Sequence, residues 1–127
     1  MERFLIVCGA GAAGCGARYL ISLWTGDRPG ETFPWGTLIV NLVGSFLIAF
    51  VLELALRVKT LSPNLVLGMT TGFMGGFTTY SAFNFQTTAL AMNGAMARAV
   101  INVVATLVGC VVAGLLGLLL ARALVPR

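Results

Sequence analysis

The stretch Gly68 to Gln86, GMTTGFMGGFTTYSAFNFQ, sits in a segment long and apolar enough to cross a membrane, yet its middle is a glycine pair followed by a threonine pair. That is a poor sequence for an unbroken helix. Read as a membrane helix interrupted near Gly75, it exposes carbonyl groups at the end of one half-helix and N–H groups at the start of the next, and lipid satisfies neither. A bound ion, a water-filled pathway or a neighbouring subunit has to do so. The two half-helix ends also aim partial charges of opposite sign at that point.

The surrounding composition agrees with a membrane setting. Of 127 residues, 58% are hydrophobic and 9% charged, against about 25% charged in a soluble domain. The chain therefore reads as an all-α integral membrane protein. Its acids are Glu2, Asp27, Glu31 and Glu53, with none from Leu54 onward, and it has no histidine. Paired-carboxylate catalysis is thereby removed, together with the commonest general base and zinc ligand, and the chain is not expected to be an enzyme. The net charge of +4 comes from scattered residues that never form a run, which suits lipid headgroups and not nucleic acid. Cys8, Cys15 and Cys110 lie in apolar segments without CxxC spacing. They read as small packing residues, the alternative being that one of them lines a pore.

Residues 1–127 form a single transmembrane domain whose helices are predicted at about 4–24, 35–56, 65–88 and 98–121, each near the roughly 20 residues that a span needs. The first is read as a retained helix and not a cleaved leader, since Glu2 stands beside Arg3 and further apolar helices follow. Near its far end Arg18 either snorkels to the headgroups or sits in a vestibule that attracts anions. A polar loop, TGDRPGETFP, follows between Trp24 and Trp35, two residues suited to interface anchoring.

On the second helix Thr37, Asn41 and Ser45 are spaced by four and share a face that continues to Glu53. Asn41 stands out, because a buried carboxamide is costly unless partnered or wet. On the third, Gly68, Gly72 and Gly76 mark tight packing, and Tyr80 and Phe83 beyond the interruption share a face. The fourth carries the stripe Asn102, Thr106, Cys110 and a small-residue stripe from Gly109 to Ala121. With four spans both termini fall on one side, which then holds Arg3, Arg57, Lys59, Arg122 and Arg127, while the other holds Arg18, Arg28 and Arg98. So slight a bias permits insertion in both orientations, and hence an antiparallel dimer of identical chains.

Three motifs, GTLIVNLVGSF at Gly36 to Phe46, GFMGGFTTYSAF at Gly72 to Phe83 and the GAAGCGARY run ending at Tyr19, together make the chain resemble the CrcB/Fluc family of fluoride channels. The resemblance covers essentially the whole chain. It implies a four-helix, dual-topology antiparallel homodimer in a bacterial inner membrane, with the third helix broken at Gly75–Thr79 and fluoride as the permeant ion. It also implies a structural sodium ion, not transported, held at the dimer centre by the backbone carbonyls of Gly75 and Thr78. Tyr80 and Phe83 would meet the anion edge-on, while Asn41, Ser81 and Thr106 donate hydrogen bonds that replace part of its water shell. Arg18 would lie in the vestibule.

Three readings of function follow. In the first, fluoride that has entered cells as neutral HF and ionised there leaves passively through the pore. The second is a proton-coupled exporter of the small multidrug-resistance type, which needs a carboxylate deep in the membrane; the first helix has none between Arg3 and Trp24, and Glu53 lies near the end of its helix. The third is a non-transporting, holin-like assembly, which leaves Asn41 and the glycine and threonine pairs unexplained.

Overall fold

The computed structural model describes residues 1–58 and 60–126. Lys59 and Arg127, both counted in the charge balance above, lie outside the described residues. Among the described residues all regular structure is helical: α1 (Glu2–Thr25), α2 (Trp35–Arg57), α3 (Pro63–Leu67), a π-helical turn at Gly68–Met74, α4 (Gly75–Phe77), α5 (Tyr80–Met92) and α6 (Met96–Leu124). Helices α1, α2 and α6 are long and apolar enough to cross a membrane, and each extends to or a little beyond its predicted limits. Their outer faces expose large apolar side chains such as Leu20, Leu115, Leu116 and Leu119, as suits contact with lipid. Trp24 and Trp35 are exposed beside the loop between α1 and α2.

The predicted third span differs in kind from the other three, being a series of short pieces from Pro63 to Met92. Pro63 occupies the first turn of α3, where its missing N–H does no harm. The backbone then widens, so that the Gly75 N–H meets the Thr70 carbonyl five residues back, the spacing of a π-helix. Gly75 itself is helical (φ −61°, ψ −37°). The interruption lies on Thr78 (φ −83°, ψ 158°) and Thr79 (φ −153°, ψ 118°), both extended, and not on the glycine pair.

The glycines are taken up by packing instead. A Cβ on Gly76 would run into the Gly11 carbonyl and approach the Cys15 N–H, and one on Gly14 would strike the backbone of Phe73 and Phe77. Gly14 is the one buried residue of α1. Two backbones thus lie in direct contact where any larger residue would separate them, and this fixes α1 against the piece that ends at the interruption.

Helix α2 packs along α6 on one side, and on the other it shares with α1 and the interrupted segment a small core of Val40, Met74 and Phe77. Where α2 ends, the Glu53 carboxylate accepts from Arg57 at 2.8 Å and from Arg122 of α6 at 3.0 Å, while Arg57 also donates to the Val125 carbonyl. Where α2 begins, Asp27 reaches back from the loop and accepts from the Gly36 and Thr37 N–H groups at 2.9 and 3.3 Å. It supplies a cap that Pro34, the residue at the helix start, cannot. The same loop is pinned at its tip by Asn93, which donates to the Gly30 carbonyl, and by Arg98, which donates to that of Glu31.

Candidate functional site

The extended pair Thr78–Thr79 is held from outside its own segment. Asn41, in the second turn of α2 and 8% exposed, donates from Nδ2 to the Thr79 carbonyl at 3.0 Å and accepts the Thr79 N–H on Oδ1 at 2.8 Å. The carboxamide thus does for Thr79 what a neighbouring peptide would do in a sheet. It satisfies both backbone groups of a residue that has left the helix. Thr79 in turn caps α5, its Oγ1 accepting from the Ala82 N–H at 3.2 Å.

These bonds redirect two N–H groups that a continuous helix would use four residues back. The Thr79 N–H no longer reaches the Gly75 carbonyl, and the Ala82 N–H no longer reaches that of Thr78. Two carbonyl oxygens are thereby released at the break. A third, that of Gly76, is taken by Arg18 of α1, whose Nε donates to it at 3.1 Å. Thr78 returns its own hydroxyl to the Met74 carbonyl at 2.9 Å, and its methyl rests where a Cβ on Gly44 of α2 would be.

A cavity of about 790 Å³ opens against this break. It brings together Asn41, Gly75, Thr78, Tyr80, Phe83 and Thr106, all named above as candidates, and adds Gly44, Ser45, Thr70, Thr71 and Cys110 among aliphatic side chains. Phe83 is buried, whereas Tyr80 is 76% exposed at the mouth, their ring centroids 5.6 Å apart and tilted by 51°. Tilted rings present positive edges. The Thr106 hydroxyl is buried without a hydrogen-bond partner among the described residues.

Two candidates stand outside the cavity lining. Ser81 is exposed, with its hydroxyl 3.3 Å from that of Thr79. Arg18 lies on the α1 side and acts on the backbone as a cap for the Gly76 carbonyl. Conversely, Gln86 of α5 and Asn102 of α6 are buried with side-chain oxygens that have no partner among the described residues, although Asn102 donates to Thr87 at 2.8 Å and Thr87 to the Phe83 carbonyl at 2.7 Å. Asn102 was legible as part of a polar stripe. Gly44 was not, because its importance depends on a methyl group thirty-odd residues away.

Arg18→Met, which keeps the length but loses the donor, is expected to slow ion flux about tenfold, the scale of one charge-assisted hydrogen bond of about 1.5 kcal/mol. Flux assayed at low salt and near 1 M salt, where the screening length falls to about 3 Å, separates the two roles of this residue. A cap predicts the same deficit in both; a deficit that vanishes at high salt would leave only long-range attraction.

Comparison with known proteins places these features in a wider set. Residues 5–118 match the family described as CrcB-like protein, Camphor Resistance (CrcB). The chain is 48% identical over 122 residues to a fluoride-specific ion channel FluC of Anaeromyxobacter sp. (strain K), covering 96% of this chain and 97% of that one. It is 47% identical over 125 residues to the protein of the same name from Sorangium cellulosum, covering 98% of each. With that of Geobacter sulfurreducens the identity is 44% over 124 residues, covering 98% of this chain and all of the other.

Proposed function

The chain belongs to the CrcB-like family, and on that premise we propose that it is a fluoride-specific ion channel, a multi-pass protein of a bacterial plasma membrane and not an enzyme. The observation that carries the reading is similarity along nearly the whole chain, at up to 48% identity, to proteins named for that activity. Fluoride formed inside the cell from entering HF leaves through the protein down its gradient, with no coupled proton. Glu53 is held by two arginines, an arrangement that does not suit it to carry a proton in proton-coupled export.

The composite segment Pro63–Met92, interrupted at the threonine pair, is the third crossing in chain order and brings the number of crossings to four. A second copy in antiparallel orientation covers the mouth of the cavity, where Tyr80 is exposed, and brings its own break beside this one. The released carbonyls of Gly75 and Thr78 then face a sodium ion at the dimer centre, which stays in place while fluoride moves. The fit is chemical: both residues line the cavity, and carbonyl oxygen is the ligand a hard cation takes. Along the anion route the edges of Tyr80 and Phe83, the second Nδ2 hydrogen of Asn41, and the Ser81 and Thr106 hydroxyls stand in for water.

Liposomes containing the purified protein and loaded with fluoride are expected to lose it rapidly on addition of a potassium ionophore, while chloride is retained. No pH gradient should be required. Replacing sodium throughout by N-methylglucamine should stop the loss and weaken the dimer on gel filtration. Equal loss of chloride would sink the fluoride reading, and indifference to sodium would remove the central cation.

A further inference from the structure

We propose that the groove between α1 and the first half of the interrupted segment is a phospholipid site, with one acyl chain lying in the groove and the phosphate meeting Arg3 at its outer end. The groove encloses about 660 Å³ and shares only Met74 with the lining of the cavity at the break. Its walls come from Ile6 and Ala10 of α1, Leu47 of α2, and Leu65, Met69 and Phe73 of the interrupted segment.

The groove has the depth of one leaflet. Asn64, in the first turn of α3, donates to Glu2 in the first turn of α1 at 2.8 Å, so the starts of two helices mark the outer end. Phe73 and Met74, just before the break, mark the inner end. The run from Asn64 to Met74 rises roughly 15 Å, half of the roughly 30 Å of a hydrocarbon core. Beyond Asn64 every lining residue is apolar or glycine, and Leu65 and Met69 remain exposed. Only hydrocarbon is at hand as a solvent at that depth. Lining atoms with nothing against them forfeit their contacts, and an acyl chain restores them.

The outer end supplies the charge. Arg3, Ile6 and Ala10 are spaced by three and four and share one face of α1, so Arg3 sits one turn outward of the groove wall. Side chains on a helix lean toward its N-terminus, here toward the membrane surface. Arg3 is exposed and takes no part in the ion pairs of the described residues, which are those of Arg28 with Glu31 and of Glu53 with Arg57 and Arg122. Its neighbour Glu2 is turned onto Asn64. A planar guanidinium at this level can take a phosphate by two parallel hydrogen bonds, and a lipid of net negative charge gains further from a basic residue near the surface. A cation at one end and an apolar trough along the rest complement an anionic phospholipid.

The test uses the full chain in phosphatidylcholine vesicles containing a small share of phosphatidylglycerol that bears a diazirine on one acyl chain. Adducts formed on illumination are mapped by peptide mass. Those on residues 6–10 and 65–73 are expected to exceed, several-fold, those on the outer face of α6 around Leu115 and Leu119. Unlabelled phosphatidylglycerol should compete about fivefold better than added phosphatidylcholine, the scale of one basic residue near the surface. Arg3→Gln should bring the two competitors level. Met69→Trp, which fills the groove, should lower its labelling several-fold; Arg3→Gln, at an exposed position, carries the test if the tryptophan protein fails to assemble. Equal labelling of the groove and of the α6 face would mean bulk lipid only and overturn the site. A groove without adducts, the result expected if a second copy covers it, would overturn it too. A preference for phosphatidylglycerol that survives Arg3→Gln would overturn the place given to the phosphate. None of these readings uses fluoride, so the result stands apart from the channel reading.

Discussion

In the Asn41→Val protein, fluoride efflux falls by two orders of magnitude or more. Valine fills nearly the same space on α2 but offers nothing to Thr79, whose N–H and carbonyl both lose their partner. Each buried backbone group left unpaired costs about 1–3 kcal/mol, and there are two. The segment has two ways to recover. It can draw Thr78 and Thr79 back into helix, which returns their N–H groups to the preceding turn and reclaims the Gly75 carbonyl, or it can separate from α2. Either way the cavity wall is lost. Asn41→Asp is informative because it keeps an acceptor for the Thr79 N–H while losing the donor and bringing charge into a place meant for an anion; it should be equally inactive. Liposome efflux is the measurement, with size-exclusion profiles to show that the protein remains assembled. Retention of even a third of the wild-type rate in the valine protein would show that the clamp is dispensable.

The second large effect is expected at Gly44, and it comes with its own rescue. An added methyl at this position would occupy the space of the Thr78 Cγ2, so Gly44→Ala has to push Thr78 away from α2. Overpacking of this kind costs about 1–3 kcal/mol, and here the displaced residue carries one of the released carbonyls. Efflux should drop about tenfold to a hundredfold. Thr78→Ser removes the offending methyl but keeps the hydroxyl that bonds the Met74 carbonyl. In the double variant Gly44→Ala/Thr78→Ser most of the rate should return. A double variant no faster than Gly44→Ala alone would mean that the glycine serves some purpose other than making room for that methyl.

Much of the architecture could be read directly because lipid imposes simple rules. The spans at α1, α2 and α6 follow from apolar length alone, and Asn41 declared itself as a carboxamide with no right to be in a membrane without a partner. The interruption was legible as the region Gly75–Thr79, but not which residues within it leave the helix, and the reason is physical. Glycine pairs weaken a helix locally, yet Gly76 serves close contact with α1 and stays helical. The break falls instead on two β-branched residues because Asn41, from another helix, supplies the bonds that extended backbone needs. No local pattern records that. The π-helical turn was equally invisible, arising from how residues 68–74 fit between α1 and α2.

The polar stripe Asn102–Thr106–Cys110 shows a milder limit. Spacing by four advances about 40° per step on a helix of 3.6 residues per turn. Asn102 accordingly meets Thr87 of α5, while Thr106 and Cys110 have turned far enough to line the cavity. Residues that look like one row in sequence serve two different contacts. Arg18 likewise announced itself as a charge near a membrane surface, but its partner, the Gly76 carbonyl, is 58 residues away.

The bond between Asn41 and Thr79 also bears on how the protein is made. The two residues are 38 positions apart, so at about 5–20 residues per second a ribosome needs roughly 2–8 s to deliver the partner after the carboxamide has emerged. During that interval α2 carries an unpaired amide in its second turn and is a poor candidate for release into lipid. It has to wait beside the insertion machinery, or with its amide wetted, until Thr79 arrives. Biogenesis of this chain is therefore expected to be concerted for α2 and everything through α5, and a ribosome stalled just short of Thr79 should leave α2 extractable from the membrane while α1 is already anchored.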